Sequence, residues 1–184
     1  IRQFDPQIDN DLLESIRKAT NAAITGTPTV CNRRLNRVYM FTRTPKTDVH
    51  TDNIDNIDKL LALQNGNRGF GNDIPVLLIV NTCLDAFQDE KERRQPYISG
   101  GMFAMSLIYA LHARGLATCS LNWDCTPSND RKLRQLLIDL GKTTDVESKK
   151  ETCIMYIAVG RYPKDREFHI AASYKSPLKY VLVE

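Results

Sequence analysis

The residues best suited to chemistry lie in Gly26-Thr27-Pro28-Thr29-Val30-Cys31-Asn32-Arg33-Arg34. Small and polar side chains surround a proline there, between an amphipathic helical segment and an extended, partly apolar run from Arg37 to Thr42. A helix-to-strand junction of this composition makes a surface loop rich in backbone and side-chain donors. Such a loop suits an anionic or polyhydroxylic ligand. Other chemistry is missing from the chain. There is no Gly-x-x-x-x-Gly-Lys loop and no Gly-x-Gly-x-x-Gly after a strand. Ser99-Gly100-Gly101 lacks the Gly-x-Ser-x-Gly arrangement of a hydrolase elbow. The histidines, His50, His112 and His169, are too few and too scattered for a metal site. His112 falls in the last turn of an apolar helix, where an imidazole complements the dipole. With so few candidate acids, bases and nucleophiles, an enzyme of this sequence would borrow its chemistry from a cofactor.

The cysteines carry no framework. Five occur, Cys31, Cys83, Cys119, Cys125 and Cys153, and no pair has the Cys-x-x-Cys spacing. Neither a disulfide scaffold nor a zinc site is expected. Cys83, Cys119 and Cys153 lie in or beside apolar runs and read as small buried hydrophobes.

The elements that position the loop follow from periodicity. Asp9 or Asn10 can cap a helix with Asp11 and Glu14 in its first turn. Leu12, Leu13, Ile16, Ala19, Ala22 and Ala23 recur at helical spacing, and Gly26 ends the run. Residues 54–63 predict a short helix with Ile54, Ile57, Leu60 and Leu61 on one face. Residues 65–72, with three glycines and three asparagines, form a turn-rich loop. Pro75 to Asn81 reads as a strand buried on both faces. A charged stretch from Asp85 to Pro96 reads as a solvated loop. Residues 102–113 are apolar on nearly every side, as a central helix is, and Gly115 stops them. Residues 117–121 predict a strand. Ser128 is expected to cap a helix with Leu133, Leu136, Leu137 and Leu140 as its stripe, ended by Gly141. Residues 153–159 predict a second buried strand, closed by Gly160. The tail over 167–184 is extended in character. The pattern is that of an α+β protein with a central sheet and a buried central helix.

The chain of 184 residues is read as one domain over 1–184, large enough to bury a core. A net charge of +3 is too small to point to nucleic acid or an anionic membrane. A nucleic-acid binder built on Arg33, Arg34 and Arg37 is the remaining third reading, and it predicts steeply salt-dependent binding. The strictly apolar runs are far shorter than the roughly 20 residues a membrane span needs. No signal peptide is visible, and a reducing cytoplasm is the expected setting, although the chain starts abruptly at Ile1.

Four segments, in order, resemble the nitroreductase-like flavoprotein family. Ile1-Arg2-Gln3-Phe4-Asp5-Pro6 is similar to the end of its opening Arg-x-Ser-x-Arg-x-Phe motif. Pro28-Thr29-Val30-Cys31-Asn32-Arg33-Arg34 is similar to its Pro-Ser-x-x-Asn-x-Gln loop. The stretch from Gly115 to Trp123 resembles the segment after the central helix. Gly160-Arg161-Tyr162-Pro163, then Ser173-Tyr174-Lys175, resembles the closing Gly-Tyr-Pro and the basic residue beyond it. Arg34-Leu35-Asn36 departs from the family's Gln-Pro-Trp, and the first Arg and Ser of the opening motif would lie before Ile1.

The resemblance implies the family's α+β fold, with a mixed or antiparallel sheet of about four to five strands flanked by helices. It implies a homodimer with FMN at the subunit interface. By it, the cofactor-binding residues would be Arg2, Pro28, Thr29, Asn32, Arg68, Leu121, Asn122, Ser173 and Lys175. Arg2 lies nearer the ring edge and Lys175 nearer the phosphate, with Ser173 donating to a phosphate oxygen. Thr29 and Asn32 reach the ring or ribityl chain from the neighbouring subunit. Leu121 packs on the ring face, a backbone N–H near Asn122 faces the flavin N5, and Asn67 or Arg68 supplies a further contact. The activity implied is an oxidoreductase passing electrons from NADH or NADPH through FMN to a nitroaromatic, quinone or related small-molecule acceptor in ping-pong order. No side chain is needed as acid, base or metal ligand. The other reading is a redox-inactive flavin-binding or structural module of a larger polypeptide.

Overall fold

The computed structural model describes residues 2–44, 54–87 and 89–164, so Ser173, Lys175 and the tail predicted over 167–184 lie outside the described residues. Its centre is a four-stranded antiparallel sheet of β1 (Asn36–Thr42), β2 (Val76–Cys83), β3 (Leu116–Asn122) and β4 (Glu151–Arg161), in the order β1-β2-β4-β3. The helices are α1 (Asn10–Gly26), α2 (Asn56–Leu61), α3 (Gln95–His112), α4 (Pro127–Asp139) and α5 (Asp145–Ser148). The α+β class and its flanked central sheet are therefore present.

β2 and β4 are apolar on both faces because both faces are covered. Val76, Leu78, Val80, Ile157 and Val159 pack against α1 and α3. Leu77, Ile79, Tyr156 and Ala158 face the other way, toward α2, α4, Phe4 and Phe70. Period-two alternation divides one run between two cores. The alternation slips once. Val80 pairs with Met155 and Asn81 with Cys153, so Ile154 is an extra residue in β4. This β-bulge turns Cys153 to the same face as Tyr156, while Ile154 and Met155 both meet the α1–α3 side.

α1 begins where Asp9 accepts from the Leu12 N–H at 2.8 Å. The same carboxylate accepts from Arg161 Nη2 at 2.6 Å, tying the helix start to the end of β4. Leu12, Ile16, Ala19 and Ala23 form the buried stripe, whereas Ala22 is exposed. Gly26 is the helix's last residue, and Thr27 caps it, its N–H and its hydroxyl both donating to the Ala23 carbonyl.

Three helix starts differ from expectation. α3 starts at Gln95 rather than 102, because Pro96 sits in the first turn, where its missing N–H costs nothing. The charged stretch thus holds a short 3₁₀ turn, Glu90–Glu92, and the start of a helix. α2 starts after Asp55, which caps it, and leaves Ile54 outside and 63% exposed. Thr126, not Ser128, caps α4, with Pro127 in the first turn. Among the cysteines, Cys153 is buried, but Cys83 and Cys119 are only half-buried and Cys31 is exposed.

α3 packs one face, Phe103, Ala104, Leu107 and Leu111, on the sheet and α1. Gly100 lets it approach the bulge. A Cβ there would lie 2.5 Å from Ile154 Cγ1 and 2.8 Å from Thr82 Oγ1. The opposite face, Ile98, Met102, Met105 and Tyr109, is exposed and recurs at steps of four, three and four residues. Among the described residues no helix is long and apolar enough to cross a membrane.

Gly100→Ala should destabilise the fold by about 1–3 kcal/mol in urea titration, the usual cost of overpacking. A second expectation concerns acid. The Arg161 hydrogen bond holds the Asp9 carboxyl below its ordinary value, so its contribution is full above about pH 4 and fades as pH falls through the lowered value. Asp9→Asn keeps a capping oxygen but loses the ion pair. Its melting temperature should fall below that of the wild type at pH 7, and the two should converge toward pH 2.

Candidate functional site

The loop between α1 and β1 is strained. Val30–Asn32 makes a single 3₁₀ turn, and Cys31, Asn32 and Arg34 have φ of 50°, 53° and 48°. Non-glycine residues in the left-handed region cost of order 1–3 kcal/mol each, so neighbours must hold them. Arg33 does most of this. Its Nη1 donates to both Glu92 oxygens at 3.0 and 2.9 Å and to the Ala86 carbonyl at 2.9 Å, and its guanidinium lies 5.6 Å from the Phe87 ring centre. Within the loop, Thr29 Oγ1 accepts from the Arg34 N–H, and Asn32 Oδ1 accepts from Arg34 Nε. At its exit the Cys83 N–H donates to the Leu35 carbonyl, and Thr82 Oγ1 donates to Asn36 Oδ1.

Two of the three arginines here are paired with carboxylates. Arg33 is paired with Glu92, and Arg37 with Glu151 at 2.6 Å and Glu147 at 3.8 Å. Glu92, in the stretch read as a solvated charged loop, is half-buried on Arg33.

A second group gathers on the other side of the sheet. The Arg2 guanidinium lies 5.7 Å from the Phe70 ring centre, is exposed, and has no carboxylate partner among the described residues. Arg68 stands exposed in the same loop and is likewise unpaired among them. Asn67 Nδ2 ties that loop down by donating to the Leu61 and Gln64 carbonyls at 2.8 and 2.6 Å. Gly69, at φ 85°, supplies a turn that a side chain would strain. Gln64 Nε2 then donates to the Asn122 carbonyl at 2.9 Å, joining the loop to the end of β3. Next to Asn122, Trp123 stacks on Tyr156 with ring centres 4.9 Å apart and donates from Nε1 to Asp130 Oδ1 at 2.9 Å. Burial pushes the Tyr156 phenol and the Cys153 thiol up, so both stay protonated.

Leu121 does not match its expected role. It is 3% exposed inside the core, because strand alternation turns positions 117, 119 and 121 inward and leaves Ser120 and Asn122 outside. Pro28, Thr29 and Asn32 are not brought to Asn122 either. They precede β1, whereas Asn122 ends β3, and these are opposite edges of the sheet, three strand spacings or roughly 14 Å apart. Pro28, Thr29 and Asn32 thus stand apart from Asn122, while Arg2 and Arg68 stand with the Phe70 loop, which Gln64 joins to Asn122.

Two contributors escaped the sequence reading, Arg33 with Glu92, and Gln64. The second had a signal. Gln64 continues the buried stripe Ile57, Leu60, Leu61 at helical spacing, and a polar residue on a buried face needs a partner. A cleft of about 690 Å³ lies elsewhere, lined by Phe4, Asp5, Arg43, Asp73, Ile74 and Lys164 among others. No predicted site residue lines it, and Arg43 there is fully engaged with Asp58 and the Ile74 and Gly71 carbonyls.

Comparison with known proteins places this geometry. The model of the nitroreductase family matches residues 1–161. No curated protein is similar enough in sequence to match. Among solved structures, a nitroreductase family protein from Streptococcus pneumoniae superposes with a TM-score of 0.69 at 16% identity, covering 96% of this chain and 90% of that one. An FMN-dependent nitroreductase from Clostridium difficile gives 0.57 at 15% identity, covering 92% and 86%. A protein of Desulfovibrio desulfuricans crystallised in complex with FMN gives 0.62 at 17%, covering 94% and 86%.

Arg33→Met should release the strained turn. Amide exchange over residues 30–34 is expected to accelerate while that of β2 and β4 is unchanged, with a smaller effect for Glu92→Gln, which keeps one acceptor oxygen.

Proposed function

The chain belongs to the nitroreductase family, and on that premise we propose that it is an FMN-dependent oxidoreductase that works as a homodimer with FMN at the subunit interface. The observation that carries this reading is the division of the site. The Pro28–Asn32 loop and Asn122 stand at opposite edges of the sheet that the described residues form, which supports a ring covered by two chains rather than by one. The exposed seam of α3 offers a second copy an apolar surface to cover. The relatives crystallised with FMN or described as FMN-dependent support the choice of cofactor.

The donor set fits FMN. The unpaired guanidiniums of Arg2 and Arg68 suit a phosphate or the electron-rich edge of a flavin ring. Asn122 offers main-chain groups at a sheet edge, and Thr29 keeps its hydroxyl proton for donation, since only its oxygen is used within the loop. When bound, FMN supplies the redox chemistry, accepting hydride from NADH or NADPH and passing electrons on to a nitroaromatic, quinone or related acceptor in ping-pong order. Arg2 would orient the ring edge, and the Asn122 main chain would offer a donor to it. The 28–32 loop of a second copy would cover the ring and exclude water. Ser173 and Lys175 would serve the phosphate. Solvent carries the protons, and no side chain acts as acid or base.

Trp123, the sole tryptophan, adjoins Asn122 and reports on the site. FMN titration should quench its emission with one flavin per chain, and NADH or NADPH should bleach the flavin absorbance. A protein that binds FMN but is not reduced by either nicotinamide is the redox-inactive module instead. Met102→Glu, placing a charge in the α3 seam, should yield monomer in sedimentation and weaken FMN by roughly tenfold or more. A folded monomer that binds FMN as tightly as the wild type would refute the shared site.

A further inference from the structure

We infer that Gln64 is a positioning residue for the redox site: its side-chain amide fixes the Asn122 peptide so that the Asn122 N–H faces the open edge of β3, where it tunes the reduction potential of bound FMN. The inference rests on the FMN reading and deepens it.

Gln64 is 7% exposed, so its polar atoms must be partnered inside the protein. Oε1 accepts from the Gly66 N–H at 2.6 Å and from Asn67 Nδ2 at 3.3 Å, and Nε2 donates to the Asn122 carbonyl at 2.9 Å. The first two bonds are local. They set the amide's orientation and leave its N–H₂ directed at one distant target, 58 residues on in the chain. The loop carrying it is held as well, because Cys125 Sγ and Asn129 Nδ2 both donate to the Leu63 carbonyl. Gln64 is therefore part of a stiff clamp on the exit of β3.

Among the described residues β3 is an edge strand with β4 as its only neighbour. In an antiparallel strand a residue's N–H and C=O point to the same side. The Asn122 carbonyl is met by Gln64 rather than by β4, so the Asn122 N–H is turned to the same outer side. The last residue of an edge strand would otherwise fray. Gln64 itself is too buried to touch a ligand. Its effect on chemistry passes through the peptide it holds, and a fixed N–H aimed at the hydride-accepting atom favours the added electron pair.

The test uses the FMN-loaded dimer and two variants, Gln64→Glu and Gln64→Leu. The midpoint potential of bound FMN is read spectroscopically against reference dyes, alongside FMN affinity and melting temperature. Both variants should fold and keep FMN, with a midpoint lower by about 30 mV, a tenfold change for a two-electron couple. In Gln64→Glu the ionised carboxylate repels the Asn122 carbonyl, but once protonated it donates as the amide did. The difference from wild type should therefore close at acid pH for Gln64→Glu and persist for Gln64→Leu. A simple packing role would not produce that divergence. Folded variants that hold FMN at the wild-type potential overturn the inference, as do folded variants that lose FMN, since Gln64 would then hold the binding site as a whole. If Gln64→Leu does not fold, the pH profile of Gln64→Glu alone decides. A wild-type protein that takes up no FMN overturns the underlying reading, and this inference with it.

Discussion

The pairing of β2 with β4 is the constraint on which the rest depends. Both strands are covered on both faces, and between them they supply the centre of two separate cores. A strand in that position has no side left for a ligand. Polar groups are thereby driven to the margins of the sheet, to the loop entering β1, the loop leaving β3 and the segments that clamp them. The bulge at Ile154 belongs to the same constraint. It shifts the side-chain parity of β4 just where Gly100 brings α3 within contact distance, and it lies beside the Met155–Asn122 pair at the end of β3.

The two margins are held by different physics. Beside β1 the backbone is strained and a charged side chain restrains it. Arg33 reaches Glu92, Ala86 and Phe87, groups that lie just ahead of α3 in the chain. Beside β3 the backbone is unstrained, and a neutral amide network sets its direction. Burying a neutral amide with every bond satisfied is less costly than burying a charge, so Gln64 can sit inside the protein while Arg33 stays half-exposed.

What the sequence made legible follows from which signals are local. Continuous apolar runs showed β2 and β4, and helical spacing showed the stripes of α1 and α4. Boundaries set by competition between neighbours were harder. Thr126 and Ser128 are both good caps, and Pro127 between them decides the matter by fixing the first turn at itself. Pro96 hid the start of α3 because a proline reads as a break when it is an opening. The candidate site was read from motifs, which carry no geometry. Leu121 has the composition of a ring-packing residue, yet strand parity turns it inward, and parity depends on a register that a single strand does not reveal. Gln64 and Arg33 act across 58 and 59 residues, and no local pattern encodes such partners.

On the proposed shared site, a second copy would account for α3 being more apolar than one chain requires. A helix that only packed on a sheet would carry a single stripe, with polar residues outside. α3 carries two, one spent on the sheet and α1, the other running through Ile98, Met102, Met105 and Tyr109. The second stripe repeats at the four-three spacing that suits a helix partner. Glu92, which anchors the strained loop through Arg33, lies three residues before Gln95, where this helix begins. A copy docked on α3 would thus press on the element that fixes the 28–34 loop. On this reading assembly and cofactor capture would draw on one structural unit, since the Arg33–Glu92 pair that restrains the loop lies just ahead of the helix carrying the exposed stripe.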